Sequence, residues 1–189
     1  WKYGFLGGIA LLTLSCGVYS VFIGYAAGLF ILILLFGLIS GETTIRETFL
    51  KGLKFVAVLV ASAGLYYLIL NLLLRIGGVT LMNYRGIDQM GRFTLASLGK
   101  LIFETYQKVY YFFYYGLFLY HDRFEIEPMF RALNWISILL LVGLSGWIAI
   151  RKGVLRSIGR LALIFVLALL FPLAIHLIAV LGQNAYTHW

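Results

Sequence analysis

From Gly4 to Ile39 the chain passes thirty-six positions without one Asp, Glu, Lys, Arg or His. No water-soluble domain of this size has use for so long an uncharged stretch, because a surface helix needs a polar face. The pattern recurs at residues 55–74, 132–150 and 161–182, the last interrupted by Pro172 and His176 alone. Each run has about the length that crosses roughly 30 Å of hydrocarbon at about 1.5 Å per helical residue. The reading is an all-α integral membrane protein, a multi-span helical bundle. Composition agrees, with 62% hydrophobic and 12% charged residues in a chain of 189.

A straight helix over residues 4–39 would be about 54 Å long, well beyond the hydrocarbon thickness. It must therefore break, and Ser15-Cys16-Gly17 is the expected point. The spans are then a short arm at about 4–16, followed by 18–39, 54–76, 131–150 and 161–182, all in one transmembrane domain covering 1–189. The chain opens Trp-Lys-Tyr inside an apolar run, so it reads as the C-terminal portion of a longer protein.

Charge sets the expected orientation. Arg46, Lys51 and Lys54 follow the second run, and Arg151, Lys152, Arg156 and Arg160 separate the last two. By the positive-inside bias these connections belong in the cytoplasm. The formal net charge of +8 is scattered among the gaps rather than arrayed along one polar helix, which argues against nucleic acid as a partner. A single cysteine, Cys16, excludes an internal disulfide and a cysteine-based zinc site.

The connection at about 77–130 is nearly balanced in charge and is expected on the outer side. Thr94 can cap a helix running to about residue 119, with Ser97, Lys100, Glu104, Lys108, Tyr111 and Tyr115 on one stripe. Such an amphipathic helix suits the headgroup layer, where Tyr106, Tyr110, Tyr111, Tyr114, Tyr115 and Tyr120 would form an aromatic belt with rings in lipid and hydroxyls in water.

Familiar membrane chemistries narrow from here. Only His176 lies within a span, which argues against a bundle holding haem between facing histidines. The spans carry no carboxylate of the kind a proton or ion pump uses. No phosphate-binding glycine loop is present. An enzyme acting on a lipid-linked substrate needs cations for phosphate and a carboxylate to take a proton from an acceptor hydroxyl. The outer segment has both. Asp88, Asp122 and Glu125, with Glu127 beside them, are the candidate base or metal ligands, and Arg85, Arg92 and Arg123 the candidates to hold donor phosphate through forked hydrogen bonds. Tyr84, His121 and His176 are the candidates to contact sugar or lipid. His176 follows Pro172 by four positions, on the same helix face, and Pro172 leaves the carbonyl of Ala168 without its helical donor.

Three stretches carry a resemblance: Leu12-Thr13-Leu14-Ser15-Cys16-Gly17-Val18-Tyr19, Asn83-Tyr84-Arg85-Gly86-Ile87-Asp88-Gln89-Met90-Gly91, and Leu170-Phe171-Pro172-Leu173-Ala174-Ile175-His176-Leu177. Together they resemble the type II glucosyltransferase family of bacterial membrane proteins. This chain has Ser20 where that family commonly has glutamine, and His176 where it often has asparagine. The resemblance implies the C-type membrane glycosyltransferase fold, in the bacterial cytoplasmic membrane. It implies transfer of a hexose, typically glucose, from a polyprenyl-phosphate donor to an envelope glycan such as O-antigen. It places the principal catalytic aspartate in a first outer loop, upstream of residue 1. A divalent metal ion or an arginine would stabilise the departing phosphate. A transporter or flippase subunit, or a noncatalytic membrane scaffold, stands as the alternative from the residues alone.

Overall fold

The computed structural model describes residues 2–19, 21–79, 95–115 and 128–177. These form six α-helices: α1 (Lys2–Val18), α2 (Phe22–Ile39), α3 (Ile45–Gly77), α4 (Leu95–Tyr115), α5 (Pro128–Arg151) and α6 (Ile158–Ile175), with a single 3-10 turn at Val154–Arg156 before α6. Among the described residues there is no strand. Four helices are long and apolar enough to cross a membrane: α2, α3, α5 from Ala132, and α6.

The long uncharged stretch does break, but later than expected. Helix α1 continues through Ser15, Cys16 and Gly17, and the chain re-enters helix at Phe22. The Tyr19 amide still donates to Ser15 O, while those of Phe22 and Gly24 turn to Tyr19 O and Val21 O. Small residues at 15–17 are compatible with helix when neighbours hold the backbone, and here Cys16 and Thr13 are buried.

Helix α2 is the centre of the bundle, touching α1, α3, α5 and α6. Its packed faces need apolar residues, and its remaining surface, with Leu29, Leu32, Ile33 and Phe36 exposed, is apolar as a lipid-facing surface should be. Ile23, Ala27, Leu34 and Leu38 are its buried apolar residues, and Leu34 and Leu38 form a core with Leu167 of α6. Phe30 stacks on Phe55 of α3 with ring centroids 4.2 Å apart. The outer surfaces of α3, α5 and α6 carry exposed leucine, isoleucine and valine, as lipid-facing helices should.

The α2–α6 crossing depends on glycine. A Cβ on Gly24 would collide with the carbonyl oxygen of Ile175 and lie 3.3 Å from that of Ala174. One turn on, a Cβ on Gly28 would lie 2.7 Å from Ile175 Cγ1. Gly24-Tyr25-Ala26-Ala27-Gly28 is thus a small-residue face that admits the backbone of α6, the usual device where lipid gives no hydrophobic drive to association. Helix α1 is held to α3 differently. Thr13 Oγ1 donates to Ile9 O at 2.8 Å and reaches Ser62 O at 3.3 Å, while Ser62 Oγ donates to Ile9 O at 3.3 Å.

Helix α3 starts well before its apolar run. Arg46, Lys51 and Lys54 lie in its first turns rather than in a loop. The cause is a capping box: Thr44 Oγ1 accepts from the Glu47 amide at 3.2 Å, and Glu47 Oε2 accepts from the Thr44 amide at 2.8 Å. The connecting turn is equally tied down. The Thr43 amide and the Ser40 hydroxyl both donate to Gly37 O, and Gly41 takes a φ of 72°, a value that favours glycine.

Candidate functional site

The bundle has two chemically different ends. At one, the α2–α3 turn meets the turn between α5 and α6: a Cβ on Gly41 would lie 3.6 Å from Lys152 Cβ and 3.9 Å from Arg160 Nη1, and one on Gly159 would lie 3.0 Å from Ile45 Cδ1. The two basic connections singled out in the sequence therefore share one end of the molecule. The α5–α6 turn is built by Gly153 at φ 65°, by the fully buried Val154, and by Ser157, whose side chain caps α6 through the Arg160 amide at 3.4 Å.

At the other end, the start of α2 faces the end of α6 through the Gly24–Ile175 contact. The end of the Leu12–Tyr19 stretch and the end of the Leu170–Leu177 stretch are thereby brought to the same region. Tyr19, Phe22 and Tyr25 form an aromatic row there, with centroids 6.2 and 6.5 Å apart. His176 follows α6 directly, half-buried, and its amide donates to Pro172 O at 3.2 Å. Of the nine candidate residues, His176 is the one that the structure describes. Tyr84, Arg85, Asp88, Arg92, His121, Asp122, Arg123 and Glu125 lie outside the described residues, as does Glu127.

Helix α4 contributes a contact that sequence reasoning assigned otherwise. It packs on α5 and α6, burying Leu101 and Thr105, and the Thr105 hydroxyl donates to Leu101 O at 2.8 Å. The Tyr106 hydroxyl donates to the carbonyl of Leu169. Leu169 is three residues before Pro172, where a helix backbone is disturbed by the proline ring and carbonyls gain from an added donor. The expected polar stripe is present in part: Lys100 and Glu104 pair at 3.7 Å on the exposed side. Such a pair contributes roughly 0.3–0.5 kcal/mol at most.

Among the described residues no group of three or more His, Cys, Asp or Glu comes together to hold a metal ion. Their carboxylates are Glu42, Glu47 and Glu104, and none lies in the apolar interior of the bundle.

Fold and composition define a helical membrane protein with four candidate spans. Residues 1–188 match the family described as Glucosyl transferase GtrII, and the chain belongs to that family. Neither a curated protein nor a solved structure matches it at a significant level. Family membership makes this a glucosyltransferase-type membrane protein.

Proposed function

We propose that this protein transfers glucose from a polyprenyl-phosphate donor to a cell-envelope glycan on the outer face of the cytoplasmic membrane. The observation that carries the reading is the match to the glucosyl transferase family over residues 1–188. Support for the side of the membrane comes from the convergence of both basic turns at one end, which the positive-inside bias assigns to the cytoplasm. A nucleotide-linked sugar is a cytoplasmic donor, whereas a lipid-linked sugar carries its hexose across and fits an outer site.

In this reading a carboxylate, with Asp88, Asp122 and Glu125 as candidates, takes the proton from the acceptor hydroxyl. The freed oxygen attacks the anomeric carbon while the bond from that carbon to the phosphate oxygen breaks. Polyprenyl phosphate leaves, its added charge met by Arg85, Arg92 or Arg123 or by a divalent ion. Tyr84, His121 and His176 contact sugar or lipid.

The test is transfer of radiolabelled glucose by the full-length protein in proteoliposomes, supplied with polyprenyl-phosphate glucose and an envelope glycan acceptor. Labelled glycan is expected, and Asp88→Asn should lower kcat by roughly 10²–10⁴-fold if Asp88 is the base. Transfer from a nucleotide sugar with no lipid-linked donor present, or movement of the donor without a new glycosidic bond, would overturn the reading.

A further inference from the structure

We propose that the basic end of the bundle is a binding site for the phosphodiester of an anionic phospholipid, seated where the α5–α6 turn meets Gly41. The α5–α6 side of that place is basic throughout. From Pro128 to Leu177 the chain contains no Asp or Glu, yet Arg151, Lys152, Arg156 and Arg160 fall within ten positions. Among the described residues, no carboxylate lies within salt-bridge distance of any of the four. Glu42 lies in the adjoining turn and is exposed but is within salt-bridge distance of none of the four, and the Glu47 carboxylate is engaged by the Thr44 amide and hydroxyl at 2.8 and 3.0 Å. Lys152 and Arg160 both border that turn: a Cβ on Gly41 would lie 3.6 Å from Lys152 Cβ and 3.9 Å from Arg160 Nη1. The amino end of α6, capped by Ser157, adds the positive pole of an 18-residue helix.

Two observations favour a lipid over a free anion. Exposed apolar side chains stand beside the bases: Ile158 is 85% exposed and Leu155 49%. A phosphate ion has no use for them, whereas acyl chains cover them. Trp147 is also exposed and carries the Arg151 guanidinium 4.3 Å above its ring, an arrangement suited to the boundary between headgroups and hydrocarbon. The site is thus amphiphilic in the order a phospholipid requires, with phosphate-binding groups toward water and bare aliphatic surface toward the bilayer.

The experiment is native mass spectrometry of the protein released from nanodiscs containing equal amounts of phosphatidylglycerol and phosphatidylcholine. Phosphatidylglycerol should be retained preferentially. Lys152→Gln and Arg156→Gln, both at exposed positions, should each lower that retention about fivefold, the effect expected for one base near an anionic surface. Arg75→Gln, in the last turn of α3, should leave it unchanged. Helical circular dichroism of each variant verifies that the fold persists. Equal retention of the two lipids by the unaltered protein, an equal loss in Arg75→Gln, or displacement of the lipid by millimolar inorganic phosphate would each overturn the proposal.

Discussion

Gly24 of α2 lies directly against the carbonyl of Ile175 in α6, leaving no room for a Cβ. The obstacle is backbone rather than the end of a flexible side chain, so a larger residue must separate the two helices. Gly24→Val should destabilise the bundle by roughly 1–3 kcal/mol, the range for forcing extra atoms into a packed interior. Gly7→Val is the matched control, because nothing lies within 4 Å of a Cβ there. Unfolding of both variants in mixed micelles checks the difference, which vanishes if the crossing is loose.

The Tyr106 hydroxyl gives a second prediction. Its donation to Leu169 O ties α4 to α6 one turn before Pro172. Tyr106→Phe keeps the ring and removes the donor, and should cost about 0.6 to 1.7 kcal/mol, as interhelical hydrogen bonds in membranes do. Faster hydrogen exchange in α4, with α3 unaffected, is the accompanying signature. A hydroxyl facing water instead would make the substitution silent.

Thr13 and Ser62 act as a pair. Each hydroxyl reaches a backbone carbonyl of the opposite helix, Ser62 O and Ile9 O respectively, and both side chains are buried. A double-mutant cycle of Thr13→Ala and Ser62→Ala should return a coupling of roughly 0.5–1.5 kcal/mol, since the two bonds share one contact. Strict additivity would show that the helices are held by packing alone.

The capping box makes the start of α3 sensitive to acid. Glu47 stands ahead of the apolar run at 55–74, and the Thr44 amide and hydroxyl hold its carboxyl below the usual carboxylate range. Because the folded value is lowered, the contribution is present above the unfolded carboxylate pKa and is lost as pH falls through the folded one. Amide exchange over residues 45–50, corrected for its intrinsic pH dependence, should therefore show fraying on acidification. Glu47→Gln should remove that pH dependence. Thr44→Ala should weaken the cap by about 1 kcal/mol at neutral pH.

Much of the fold was legible because hydrophobic length is a blunt and reliable signal. Runs such as 55–74 and 132–150 have few alternatives to spanning helices. The start of α3 at Ile45, ahead of the span expected at 54–76, is written in the capping box Thr44-Ile45-Arg46-Glu47, a signal separate from hydrophobic length. Gly24 and Gly28 were likewise readable as a small-residue face. The Tyr106–Leu169 bond was not, since nothing in α4 names its partner sixty-three residues away. Residue types alone nominated the carboxylates and arginines of the outer segment, and only His176 among the nine can be placed against the bundle.

The α2–α6 crossing also bears on how the protein is made. Gly24 is synthesised long before Ile175, and at about 5–20 residues per second the interval is roughly 8–30 s. Throughout that time α2 waits in the bilayer with its glycine face uncovered, able to accept any helix with a close-fitting backbone. Completion of the bundle is therefore a late event in biogenesis, and a chain truncated before α6 would present to the membrane proteases a central helix with its principal neighbour missing.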